Sequence, residues 1–139
     1  MTEHEMLMNY RFRVVVDNSV LSFAKVSGLG MELETEMLGS GGTNGTGYIA
    51  AVPAKHPKTL RLEKGLLAGQ DQILKRLRPG MYLQQGVVVM LLDAKGIPQV
   101  TYAAENAMVT KWEIADMDAQ SGQVLINTFE IAYTNLSIV

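Results

Sequence analysis

Alternation of apolar and polar residues, the pattern of a half-buried β-strand, runs through most of the chain. In YRFRVVVD, the residues Tyr10, Phe12, Val14 and Val16 share one face, and two arginines lie on the other. The same period recurs in KTLRLEKG, MVTKWEI and GQVLINTFEIAYTNL, and VLSFAKVSG and GVVVMLLD are read as further strands. We therefore expect a mainly β protein, with six to eight strands in an antiparallel β-sandwich or barrel.

One segment, LLAGQDQILKRLRPG at residues 66–80, has helical spacing instead. Leu66, Ile73, Leu74 and Leu77 fall on one helical face. An aspartate lies near the start of this segment and basic residues lie near its end, which suits the helix dipole, and Pro79 would end the helix. The pattern predicts one α-helix.

Two details concern the second half of the chain. The run Asp93-Ala94-Lys95-Gly96 separates two strand patterns and predicts a hairpin. In MVTKWEI, strict alternation predicts one shared face for Met108, Thr110, Trp112 and Ile114.

A row of glutamates follows the second strand. Residues Met31, Leu33, Thr35 and Met37 alternate with Glu32, Glu34 and Glu36, so on a strand the three carboxylates would point one way. Three like charges on one face favour a solvated or channel-facing surface over a cation site. We expect none of them in the apolar core, because an unpaired buried charge costs several kcal/mol.

The segment from Gly39 to Pro57, GSGGTNGTGYIAAVPAKHP, is a long inter-strand loop. Gly42 and Gly47 have the spacing of a phosphate-binding loop, but Tyr48-Ile49 stand where that loop needs lysine and serine or threonine. A disordered tether would lack the apolar run from Tyr48 to Val52. Two readings stay open: an arm that contacts another subunit through Tyr48, Ile49 and Val52, or a loop folded onto its own domain.

Composition narrows the class of protein. The 139 residues suit a single domain, 1–139, and 47% hydrophobic with 19% charged residues is globular composition. A net charge of −2 argues against a general nucleic-acid binder. The N-terminal stretch is acidic and only briefly apolar, so we expect no secretory signal and folding in the cytosol.

Catalytic chemistry has little support in the sequence. There is no cysteine, and His4 and His56 have no Asp, Glu or Cys partners at ligand spacing. No nucleophile–base pair, metal set or cofactor loop is present, so we expect no enzyme, no cofactor and no metal.

The motifs resemble those of the tube proteins of contractile phage tails and phage-tail-like injection systems. YRFRVVVD and FAKVSGLG are similar to that family's first two strands, and KTLRLEKG is similar to the strand before its helix. A later stretch carries an Asn-Ala pair and a Lys-Trp pair like those of the family. The matching residues are Phe12, Val14, Val16, Asp17, Phe23, Val26, Ser27, Gly28, Leu29, Asn106, Ala107, Lys111, Trp112, Ala119 and Glu130.

The resemblance implies hexameric rings that stack around a channel, with the strand of the glutamates in the channel wall and the long loop reaching neighbouring subunits. It implies further copies of this chain, a sheath protein, and baseplate and tube-terminating proteins as partners, with cargo in the lumen. Assembly is expected in the cytosol, as part of a virion tail or an extracellular, injected tail-like particle.

Two departures from the family leave alternatives open. The helix QDQILKRL lacks the family's tryptophan, and Tyr133-Thr134 replace a histidine–glutamate pair in the last strand. The chain is expected to be either the repeating tube subunit or the baseplate protein that starts the tube. A monomeric ligand-binding β-barrel is the alternative from another class.

Overall fold

The computed structural model describes residues 11–39, 47–66, 71–120 and 125–139. Within these ranges there are nine β-strands and one short helix, more strands than the six to eight expected, because β4 and β6 are too short to show a period in the sequence. The elements are β1 Arg11–Val16, β2 Ser19–Ser27, β3 Thr35–Leu38, β4 Tyr48–Ala51, β5 Lys58–Leu66, α1 Asp71–Arg76, β6 Tyr82–Leu83, β7 Val87–Leu92, β8 Pro98–Ile114 and β9 Leu125–Ile138.

Six strands close into an antiparallel barrel in the order β8-β7-β1-β2-β5-β9, with β9 pairing back onto β8. The long strand β8 makes this closure: its first half pairs with β7 and its second half with β6, while β9 lies along its other side. Of the two architectures expected from the sequence, the barrel is the one formed.

Two tight turns connect neighbouring strands, and the second of them is the hairpin that the sequence predicts. Between β1 and β2, Asp17 and Asn18 both adopt positive φ, as a two-residue turn of the primed type requires. Between β7 and β8, the Asp93 carboxylate accepts hydrogen bonds from the backbone N–H groups of Lys95 at 2.8 Å and Ile97 at 3.0 Å.

The barrel interior is filled by side chains from all six strands. The rings of Phe23 and Phe129 meet edge to face, with centroids 6.3 Å apart. Gly65 makes room for the first ring, since a Cβ there would lie 2.6 Å from an atom of Phe23. The buried set includes Val14, Val16, Leu21, Leu60, Leu62, Val87, Val89, Val109, Ile131 and Tyr133.

The prediction that Met108, Thr110, Trp112 and Ile114 share one face of their strand is wrong. A bulge at Thr110 places one extra residue on β8, between the pairs Val109↔Ile131 and Lys111↔Glu130. The bulge therefore changes which residues of β8 point into the barrel. Val109 is buried before the bulge and Trp112 packs against the core after it, while Thr110 is exposed.

The helix is shorter than predicted. It covers Asp71–Arg76, and Leu66 belongs to β5, where its side chain is exposed. Its apolar face is as expected, because Leu74 and the following Leu77 are buried in the core. The Trp112 indole N–H donates to the Leu77 carbonyl at 2.8 Å, which fastens the end of this segment to β8. No helix in the described ranges is long and apolar enough to cross a membrane.

Gly28 ends β2 and turns the chain away from the barrel. Its φ is +89°, and a Cβ at this position would lie 1.9 Å from the Thr59 carbonyl oxygen. Gly96 also has a positive φ, +80°, but nothing lies within 4 Å of its Cβ position. The two glycines therefore share a backbone requirement and differ in steric surroundings.

We predict that Gly28→Ala is destabilising beyond the matched variant Gly96→Ala. The control incurs only the left-handed backbone cost, about 1–2 kcal/mol. Gly28→Ala adds a clash with the neighbouring strand, so its loss of unfolding free energy exceeds the control's by about 1–3 kcal/mol. Chemical denaturation of the unassembled protein measures both, and equal losses would contradict the close approach at Gly28.

Candidate functional site

The strands β3 and β4 form a separate two-stranded sheet, here called the arm hairpin. Its register pairs Met37 with Ile49 and Leu38 with Tyr48, and neither strand pairs with the barrel. Isolated two-stranded hairpins are at best marginally stable in water. The arm hairpin is therefore a feature that gains stability from a further partner.

Large apolar side chains on the arm hairpin face solvent. Ile49 is 71% exposed, Met37 65% and Tyr48 60%. Because neighbouring residues of a strand point to opposite faces, Met37 and Ile49 lie on one face of the hairpin and Tyr48 lies on the other. Both faces thus carry exposed apolar surface, which is typical of a protein–protein contact.

The segment that connects β2 to the hairpin, residues 28–34, is here called the arm root. Its Met31 and Leu33 are also more than 60% exposed, so the apolar alternation read from the sequence does not place them in the core. At the base of the hairpin, Val52 is half-buried and donates its backbone N–H to the Glu34 carbonyl at 3.0 Å. Of the three predicted loop contacts, Tyr48 and Ile49 are at the exposed hairpin and Val52 is at its base.

The predicted glutamate strand forms only in part, since Glu32 and Glu34 precede β3 and Glu36 alone lies in it. Glu32 and Glu36 are exposed and Glu34 is half-buried, so none is in the core. Glu32 pairs with Lys58 at 3.1 Å, and the Glu34 carboxylate accepts the Lys55 N–H at 3.2 Å. Within the described residues β3 pairs with β4 and not with the barrel of its own chain, so its predicted place in the channel wall of a ring stays a prediction.

Carboxylates also lie on the outer wall of the barrel: Glu63, which the sequence did not single out, and Glu130, which it identified only as a match to the family. Glu63 faces Lys25 at 3.5 Å and Arg61 at 3.8 Å, and Glu130 faces Lys111 at 3.9 Å. Such exposed pairs each contribute about 0–1 kcal/mol, so they stabilise the fold little and mainly keep this wall hydrophilic. Strand pairing was the missing information: Arg61, Glu130 and Lys111 are cross-strand neighbours far apart in sequence.

Tyr133 was also missed, because its role depends on a long-range contact. Its ring is buried in the barrel, and its hydroxyl donates to the Gly28 carbonyl at 2.6 Å and accepts the Gly30 N–H at 3.1 Å. Beside these bonds an open cleft of about 740 Å³ separates the arm root from the ends of β5 and β9. His56 lines this cleft and is exposed.

Solved structures of contractile systems share this fold. A chain of an extracellular contractile injection system, the PVC sheath-tube complex in its extended state, has a TM-score of 0.68 and 19% identity, covering 93% of this chain and 88% of its own. The anti-feeding prophage tube terminating cap has a TM-score of 0.66 and 18% identity, covering 93% and 87%. At these identities the similarity establishes the fold.

A chain of the anti-feeding prophage baseplate, solved with six-fold symmetrisation, is more similar in sequence and less similar in shape. It is 28% identical, with a TM-score of 0.56, and the match covers 94% of this chain and 92% of that one. No curated protein sequence is similar enough to count as a relative. The family model described as T4-like virus tail tube protein gp19 matches residues 8–137, nearly the whole chain. With this match and a barrel shared with tube structures, the chain belongs to the T4-like virus tail tube protein family.

Proposed function

We propose that this protein is the repeating subunit of the inner tube of a contractile phage tail or injection system. Copies form hexameric rings, and stacked rings form the channel that sheath contraction drives through a target envelope. The observation that carries the proposal is the exposed apolar arm hairpin on a closed, filled barrel of the tail tube family. The protein's role is structural, and it acts mechanically, as part of the tube.

The arm hairpin supplies the contact between subunits. Fully burying a side chain such as Ile49 or Tyr48 contributes roughly 1.5–3 kcal/mol. Ring symmetry repeats the same contact at every subunit, so a modest gain per arm stabilises the whole assembly. Met37 joins Tyr48 and Ile49 in this contact, and Val52 supports it from the hairpin base.

Partners follow from the same assignment. The similar chains come from a sheath-tube complex, a tube terminating cap and a baseplate, so we assign a sheath, a terminator and a baseplate protein as neighbours of the tube. Assembly in the cytosol, as part of a virion tail or an extracellular, injected tail-like particle, stays a prediction from the sequence. Orientation of Glu32, Glu34 and Glu36 toward the channel stays a prediction.

A second candidate function is the baseplate protein that starts the tube. The 28% identity to a baseplate chain favours it. We give more weight to the repeating subunit because the apolar surfaces on both faces of the arm hairpin suit repeated contacts.

Self-assembly separates the two candidates. We predict that the purified protein forms tubes with six-fold symmetry, whose length increases with concentration, because a repeating subunit can add to its own end. Light scattering over a concentration series and negative-stain microscopy measure this. Single rings that never lengthen would identify the tube-starting protein, and a sharp monomer at high concentration would contradict both tube functions.

The arm's role is tested by the double variant Tyr48→Ser/Ile49→Ser. We predict soluble protein with unchanged β-type circular dichroism and no tubes, because the substitution removes contacts between subunits and leaves the barrel core intact. Met117→Ser is the matched control, since Met117 is equally exposed, at 74%, but lies outside the arm. Tube formation by the double variant at the control's concentration would show that the arm does not join subunits.

Replacing residues 43–54 with a short Gly-Ser linker tests the other reading of the loop. Shortening a loop changes its closure entropy by about 1 kcal/mol or less, so the barrel is expected to stay folded while assembly is lost. Thermal melting followed by circular dichroism checks the first outcome. Unfolding of this variant would place the loop in its own domain's core.

A further inference from the structure

Tyr133 joins two regions that lie more than a hundred residues apart in the chain. It sits in β9, between Lys58 of β5 and Ala107 of β8, and only 1% of its surface is exposed. A buried tyrosine needs a hydrogen-bond partner for its hydroxyl. Here that partner is the backbone of the arm root, at Gly28 and Gly30.

The hydroxyl uses both of its hydrogen-bonding capacities on this backbone. Its single proton goes to the Gly28 carbonyl at 2.6 Å, since the Gly30 carbonyl is farther away at 3.4 Å. One of its lone pairs accepts the Gly30 N–H at 3.1 Å. One side chain thereby fixes the backbone on both sides of Leu29, at the point where the chain leaves the barrel.

The rest of the root is held by weaker contacts. Met31 and Leu33 are exposed and gain little from packing. The pair between Glu32 and Lys58 is on the surface, with 69% of the glutamate side chain exposed, and such pairs contribute little. Leu29 is the exception, since it packs against the core. The direction of the arm therefore depends on the part-buried hydrogen bonds of Tyr133 together with the packing of Leu29.

We propose that Tyr133 is the positioning residue of the arm: its hydroxyl fixes the arm root and so holds the arm hairpin ready for the neighbouring subunit. This inference rests on the proposed role of the arm in joining subunits. The physical benefit is preorganisation, because a segment already held in its bound direction loses less conformational entropy when it binds.

The test compares Tyr133→Phe with Tyr82→Phe. Each variant removes one tyrosine hydroxyl, but the Tyr82 hydroxyl donates to the Asn106 side chain at 2.9 Å, away from the arm. Amide hydrogen exchange is measured on the unassembled proteins, and the lowest concentration that forms tubes is measured by light scattering.

We expect Tyr133→Phe to increase amide exchange at Gly30 and through the root by about tenfold, the size of one lost hydrogen bond, with β1 and β7 unchanged. The concentration needed for assembly rises by a similar factor, roughly tenfold. Tyr82→Phe changes neither quantity. Replacing Tyr133 with 4-aminophenylalanine, which keeps a donor at the same place, restores assembly in part.

Unchanged exchange at the root, or a loosened root with normal assembly, would overturn the positioning role. If Tyr133→Phe does not fold, amide exchange at Gly30 of the wild-type protein is the test. Exchange as fast as in an open loop overturns the proposal, and protection from exchange supports it. The variant Tyr48→Ser/Ile49→Ser distinguishes a failure of the proposed arm function from a failure of the positioning role of Tyr133. If that variant assembles normally the arm function fails, whereas its failure beside a normally assembling Tyr133→Phe overturns the positioning role alone.

Discussion

Hydrogen bonds between β8 and β9 close the barrel, and the exposed character of the arm follows from that closure. Once β9 pairs with both β5 and β8, each of the six barrel strands has a hydrogen-bonded neighbour on both sides. The interior is occupied by side chains such as Phe23 and Phe129. Neither the barrel edges nor its core then offers a place to β3 and β4.

The arm combines properties that a closed monomer would avoid. Among the residues that the structure describes, each of its two strands has one edge without a pairing strand, and exposed strand edges invite pairing with other chains. Its side chains Met37 and Ile49 expose apolar surface that water disfavours. In a protein of the tail tube family these properties become useful, since the subunit must bind its own copies repeatedly and in one geometry.

Local pattern was enough to predict the barrel strands that have one wet side. For β1 and β5, the period of two maps directly onto buried and exposed faces. The pattern was not enough where tertiary structure changes the face. The bulge at Thr110 changes which residues of β8 face the interior, and the amino-acid composition does not indicate the extra residue that causes this change.

The arm hairpin also shows what a local sequence pattern cannot decide. Alternation from Met31 to Met37 was read as one strand, but only its last part is a strand, and that part lies in an exposed hairpin, which has the same period. The loop residues Tyr48 and Ile49 could be identified from their apolar character after a glycine-rich stem. Tyr133 could not, because the contact of its hydroxyl with Gly28 depends on how β9 lies beside β5.

A cryo-electron microscopy map of the assembled protein tests the central claim most directly, because it shows which surface covers the arm hairpin. The account predicts a tube in which Tyr48 and Ile49 of each subunit are buried against a neighbouring subunit, while the six-stranded barrel is unchanged. A map in which the hairpin is folded onto its own barrel, or stands free in solvent within a complete tube, would contradict it.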